Sequence, residues 1–138
     1  MLEDKKFSLI VPIFKTEKFL KKCVDSIFEN AGYENKEVIC VLDGENVQFR
    51  SILNQYGEKL KVIAIPHSGA CAARNAGAKI ATGDIFSFFS SDFQAEAGML
   101  STWKRYFDTF PGADFIYGGY RFNTPNGDVA PSESFDTF

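Results

Sequence analysis

Glu37-Val38-Ile39-Cys40-Val41-Leu42 is a nearly continuous apolar run that ends on Asp43-Gly44. A strand with one wet face alternates apolar and polar residues, whereas a strand covered on both faces does not. The run therefore reads as a buried strand of a parallel sheet. Upstream, Phe7-Ser8-Leu9-Ile10-Val11 reads as a strand ended by Pro12, and downstream Lys61–Ile65, Asp84–Phe89 and Asp114–Phe122 read as three more. The stretches between them carry helical spacing. Thr16 is placed to cap a helix through Glu29, with Phe19, Leu20, Cys23, Val24 and Ile27 on one face and Gly32 just past its end. Val47–Tyr56, the alanine-rich Gly69–Ile80 and Ala95–Phe107 are the remaining helices, and Pro125-Asn126-Gly127-Asp128 is a turn.

Strands alternating with helices imply right-handed βαβ units, hence an α/β fold with a mainly parallel sheet flanked by helices. Its 138 residues suit a single domain, with no repeat or linker to divide them. In such sheets ligands sit beyond the carboxyl ends of the strands. Those ends are Pro12–Lys15, Asp43–Asn46, Pro66–Gly69 and Ser90–Phe93, and most residues with chemical potential fall there.

Composition removes several function classes. The chain is 45% hydrophobic and carries 15 basic against 18 acidic residues, a net charge of −3. No basic run marks a nucleic-acid footprint, and Lys15, Lys18, Lys21 and Lys22 read as the solvated face of a helix. No apolar run approaches the ~18 residues of a membrane span. The N-terminus lacks the apolar core of a signal peptide, so a cytoplasmic location is expected. Cys23, Cys40 and Cys71 are too few and too scattered for a disulfide framework or a zinc knuckle and read as buried free thiols. His67, the single histidine, precedes Cys71 by four residues, but no carboxylate follows nearby to orient an imidazole as a base.

Familiar nucleotide motifs are missing. The first strand runs into Val11-Pro12-Ile13-Phe14 rather than a G-x-G-x-x-G turn, and no G-x-x-x-x-G-K-[ST] occurs. A dinucleotide dehydrogenase and a P-loop phosphotransferase are thereby disfavoured. The absence of G-x-S-x-G disfavours a serine hydrolase of the nucleophile-elbow type. A nucleotidyltransferase lacks its glycine-rich basic loop near the first strand and ranks last among the nucleotide-binding alternatives.

Four segments remain, in order. Ser8-Leu9-Ile10-Val11-Pro12-Ile13-Phe14 resembles an opening strand ending Val-Pro-x-Tyr. Val38–Asn46 resembles a strand ending Asp-Asp-Gly-Ser. Gly69-Ala70-Cys71-Ala72-Ala73-Arg74-Asn75-Ala76-Gly77 resembles a Gly-x-x-x-Ala-Arg-Asn-x-Gly helix. Ala81–Asp92 resembles a Gly-Asp strand running into Asp-x-Asp. Together, across about residues 7–122, they resemble the nucleotide-sugar-binding half of a family-two glycosyltransferase of the Rossmann-like GT-A fold.

That resemblance implies transfer of a sugar from a nucleoside-diphosphate donor, by family habit a UDP-sugar, to a saccharide or lipid-linked acceptor hydroxyl with inversion. It implies donor contacts at Pro12, Ile13, Phe14, Asp43, Arg74, Ser90, Ser91 and Asp92, and a Mn²⁺ or Mg²⁺ ion held at Asp92. Asp43 would contact the base; it also reads as a turn residue before Gly44. Arg74 would meet the base or diphosphate; it also reads as a partner for Asp84, which reads as structural, and the two roles are compatible. Two departures stand out: Ser90-Ser91-Asp92 has a serine where the motif has its first carboxylate, and Leu42-Asp43 keeps one of two aspartates. Weakened metal and donor affinity follow, and a binding module that has lost turnover is the alternative. The catalytic base is expected beyond Phe138, in an acceptor-binding half absent from residues 1–138. Glu133 and Asp136 match no motif.

Of 21 aromatic residues, 14 fall within residues 86–138. Phe88 and Phe89 point to opposite faces of one strand, and Phe93, Phe110, Phe122, Phe135 and Phe138 lie near or beyond element ends. An apolar surface at the C-terminal edge is expected, covered by further chain or by another subunit.

Overall fold

A computed structural model describes residues 5–123 and 129–131. The elements are β1 (Phe7–Ile13), α1 (Leu20–Asn30), β2 (Lys36–Asp43), α2 (Val47–Asn54), β3 (Lys61–Ile65), α3 (Ala70–Ile80), β4 (Ile85–Phe88), α4 (Met99–Thr109), β5 (Arg121–Asn123) and β6 (Val129–Pro131). The first four strands form one parallel sheet in the order β3-β2-β1-β4. The chain steps outward from β1 to β3, then crosses back over to the other side of β1. This reversal puts a topological switch point between β1 and β4.

Side-chain alternation builds one core on each face of the sheet. Phe7, Leu9, Val11 and Ile13 of β1, with Val38, Cys40 and Leu42 of β2, pack against Leu20, Cys23, Val24 and Ile27 of α1, Phe49 and Leu53 of α2, and Leu100 of α4. Ile10, Ile39 and Val41 face Ala73 of α3. The α3 side is thin because small residues let the helix come close. At Gly77, an added Cβ would lie 2.5 Å from Ile10 Cγ2 and 3.2 Å from Val41 Cγ2. The alanine-rich, glycine-bearing sequence of α3 is therefore a packing requirement.

At the amino ends of the strands, Glu37 is a buried junction. Its Oε1 accepts the Ser8 hydroxyl at 2.6 Å, the Thr82 amide at 2.6 Å and the Thr82 hydroxyl at 3.0 Å; Oε2 meets Lys61 Nζ at 2.9 Å. Burial pushes this carboxyl up, but the bonds from Ser8, Lys61 and Thr82 outweigh it and hold the group far below the carboxylate range. Asp84 sits at the same end, accepting the Lys6 amide at 2.9 Å with Lys5 Nζ at 3.7 Å. It is a structural link between β1 and β4, and it does not pair with Arg74.

Several expectations need correction. Thr16 does not cap α1; the helix opens at Leu20, preceded by a turn in which the Thr16 carbonyl accepts from both Phe19 and Leu20. The Thr16 hydroxyl is engaged instead with Ser91 at 2.8 Å. Residues 95–98 are not helical, because their backbone is committed to α1. The Ala95 amide donates to Ser26 Oγ, the Ala95 carbonyl accepts from Asn30, and the Gly98 amide donates to the Asn30 carbonyl. The fifth strand at 114–122 does not form as expected. Its backbone passes Trp103, which would lie 3.5 Å from a Cβ on Gly118, and within it only Arg121 onward joins a ladder, Arg121–Asn123 pairing antiparallel with Val129–Pro131. The turn at 125–128, and Phe135, Phe138, Glu133 and Asp136, lie outside the described residues.

Of the rings expected at the apolar edge, Phe93 and Phe110 are exposed, and the side chains of Phe122, Phe135 and Phe138 lie outside those described. Phe86, Phe88, Phe93, Phe110, Phe115, Tyr117 and Tyr120 are all exposed, while Phe89, the neighbour of Phe88, is buried. No described strand pairs with the outer edge of β4. Among the described residues no helix is long and apolar enough to cross a membrane.

Candidate functional site

Apart from Arg74, the expected site residues gather around the carboxyl end of β1, in two groups that flank it. The first lies toward β2 and β3. Asp43, the last residue of β2, is only 3% exposed. Parallel pairing sets it opposite Ile65, so the loop after β3 wraps its carboxylate. Oδ1 accepts the Ser68 amide at 2.7 Å; Oδ2 accepts the Gly69 amide at 3.0 Å and meets His67 Nδ1 at 2.9 Å. Burial pushes the carboxyl up, but the two amides and the imidazole outweigh that and lower it. A charged acceptor is thus fixed at the strand end. Gly69, at φ +96°, supplies the left-handed turn that aims the loop before α3 begins.

Phe14 follows β1 directly. Its ring is 45% exposed and stacks on the His67 imidazole, centroids 4.3 Å apart and planes 15° apart. Lys15 Nζ stands 5.3 Å from the same ring. Lys15 is the one non-glycine residue at positive φ among the described residues, at +52°, so the chain turns sharply after the ring. Pro12 is half-buried opposite Val41, and the Ile13 side chain is buried in the core beneath the site. Ile13 therefore offers no side chain to a ligand.

The second group lies toward β4. The Ser90 hydroxyl donates to Asp92 Oδ1 at 2.8 Å, and buried Ser91 bonds Thr16 at 2.8 Å. The loop carrying Asp92 is thereby tied to the loop that follows Phe14. Cys23 donates to the Ser90 carbonyl at 3.6 Å. Burial, then the charge of Asp92, pushes this thiol up to about 12, which leaves it inert at neutral pH. Asp92 itself is exposed. Among the described residues no three His, Cys, Asp or Glu side chains converge as metal ligands. The residues present fit a divalent ion only in a shared form, with Asp92 as the protein carboxylate and a diphosphate and waters completing an oxygen shell.

Arg74 lies half-buried on α3, and no described carboxylate pairs with it. The structure thus brings Phe14 and Asp43 together through His67, brings Ser90, Ser91 and Asp92 together, and gives Arg74 no hydrogen bond or ion pair with either group. Two points escaped the sequence. A carboxylate does orient His67, arriving from β2 rather than from the residues after it; the strand-end register is the signal that could have found it. Cys71 is exposed, not buried.

The chain matches the model of a protein family described as Glycosyl transferase family 2 over residues 8–136. It is 32% identical over 131 residues to glycosyltransferase GlyA of Streptococcus pneumoniae, covering 92% of this chain and 18% of that protein. Among solved structures, S. aureus TarS 1-349 in complex with UDP superposes with a TM-score of 0.69 at 28% identity, covering 75% of this chain and 32% of TarS. The complex of the same protein with UDP-GlcNAc gives a TM-score of 0.69, again at 28% identity over 75% of this chain, and 31% of that chain. The chain spans less than a fifth of GlyA and about a third of the TarS fragment.

Proposed function

The chain belongs to glycosyl transferase family 2, and on that premise we propose that residues 1–138 form a nucleotide-sugar-binding unit taking a UDP-sugar. The sugar passes to a saccharide or lipid-linked acceptor hydroxyl with inversion at the anomeric carbon. The observation that carries this reading is the arrangement at the end of β1: an exposed aromatic ring and a buried, charged Asp43 on one side, and Ser90 with Asp92 on the other. A flat base stacks on Phe14, and Asp43 accepts a ring N–H or a ribose hydroxyl. The diphosphate then extends across the switch point toward Asp92, with Ser90 near the ribose. The UDP and UDP-GlcNAc complexes of TarS support a uridine donor.

Transfer requires the leaving UDP to depart as an anion while the acceptor oxygen loses its proton. Asp92 would hold a Mn²⁺ or Mg²⁺ ion together with the donor diphosphate, and the chemistry such an ion supplies is neutralisation of charge on the departing group. Ser90 contributes a neutral oxygen, so the ion is held less tightly than by two carboxylates. This reading places the carboxylate base that deprotonates the acceptor outside residues 1–138.

The expected result is a rise in melting temperature with UDP and a further rise with UDP plus Mn²⁺; Asp92→Ala removes most of the metal-dependent part. No shift with any nucleoside diphosphate, with or without metal, overturns donor binding. A second reading, a donor-binding module without turnover, is favoured by Ser90 standing in the place of a carboxylate. It predicts UDP binding that is indifferent to Mn²⁺.

A further inference from the structure

His67 makes two contacts at once. Its ring lies flat on Phe14, and its Nδ1 meets the buried carboxylate of Asp43 at 2.9 Å. Stacked atoms need about 3.5 Å between planes, so a second flat ring between Phe14 and His67 needs about twice that. With centroids 4.3 Å apart, nothing flat fits between them. The imidazole thus occupies one stacking face of Phe14 and one acceptor position on Asp43.

Those are the two contacts a nucleobase bearing a ring N–H makes at such a place. We propose that His67 is an internal stand-in for the donor's base: it fills the base slot of the ligand-free chain and swings out when a nucleotide enters. This rests on the donor-binding reading above. The geometry permits the exchange. The His67 side chain is 58% exposed, so a change of rotamer carries it into solvent without disturbing the core. Its departure clears the ring and the carboxylate together. Asp43 stays in place, because the Ser68 and Gly69 amides still hold both of its oxygens. Only the acceptor position that His67 had used is vacated, and an incoming N–H replaces it.

The consequence is a lowered apparent affinity. A nucleotide binds the fraction of chains in which the imidazole is out, and removing the imidazole removes that factor. His67 thereby sets how readily the slot opens, and Phe14 and Asp43 set what fills it.

The test titrates the 138-residue chain with UDP. Because His67 is the only histidine, its ring protons are read directly by NMR during the titration. The expected result is a shift of those signals as UDP binds, and tighter UDP binding by His67→Ala, about three- to tenfold by calorimetry. If His67→Ala binds no more tightly than the parent chain, or if UDP saturates the parent chain with the His67 signals unmoved, the stand-in role is overturned and donor binding survives. If neither chain binds UDP, donor binding and the stand-in role fall together. The NMR measurement needs no variant, so a misfolded substitution cannot mask the answer.

Discussion

Replacing Glu37 by glutamine isolates the energetic role of charge at the end of the sheet farthest from the site. The amide oxygen can keep the three bonds now made by Oε1, from Ser8 and twice from Thr82, but as bonds to a neutral acceptor. A hydrogen bond to a charged group contributes about 1 kcal/mol more than one between neutral groups, so the three together lose about 3 kcal/mol. The new NH₂ faces Lys61 Nζ, whose side chain is 50% exposed, and Lys6 Nζ, 3.5 Å from Oε2; losing these two contacts adds about 1 kcal/mol. The expected cost is about 3–4 kcal/mol, or about 10–15 °C in Tm for a domain of this size. The pH dependence carries a sign. The folded carboxyl sits well below its unfolded value, so its stabilisation is complete above the unfolded value and disappears as pH falls through the folded one. Urea denaturation followed by circular dichroism should give the full gap between parent and Glu37→Gln at about pH 7, and a narrower gap by about pH 3. A gap below about 1 kcal/mol at neutral pH, or one that stays constant on acidification, refutes the assignment.

Gly77→Ala drives a methyl to 2.5 Å from Ile10, and overpacking of this kind costs about 1–3 kcal/mol; an unchanged unfolding midpoint would show that α3 can shift outward freely. Ser90→Asp adds a second carboxylate beside Asp92, now only 2.8 Å from the serine hydroxyl. Mutual repulsion lowers the Tm of the variant alone, and Mn²⁺ with UDP restores more than it gives the parent chain, as read by thermal shift. Equal metal effects in the two chains count against Asp92 as the ion's anchor.

The fold was legible because two periodicities carry it. The unbroken apolar run at residues 37–42 reports burial on both faces, and β2 is indeed an interior strand with a helix layer on each side. The failures have local causes. Residues 114–122 are rich in aromatic types that favour strands, yet at Gly118 the backbone lies against Trp103 instead of joining a ladder. Thr16 has the chemistry of a helix cap but spends its hydroxyl on Ser91, a partner 75 residues away. His67 and Glu37 escaped for the same reason. Their roles depend on residues from other strands, and no short-range pattern encodes that adjacency. Asp43, by contrast, stood out because a carboxylate ending an apolar strand is conspicuous in the sequence itself.

Placing β1 in the middle of the sheet governs the order in which this chain can fold. β1 is made first, but its two neighbours are β2 and β4, and the second of these comes some 78 positions later, as the Lys6–Asp84 bond measures. A nascent chain that has reached only β3 holds β1 with one flank unpaired. Closure depends on a non-local contact that brings no reward until its loop is already closed, which slows folding. Over that interval the strand beneath the proposed nucleotide site is an open edge, able to pair with another chain, and its protection falls to the docking of β4.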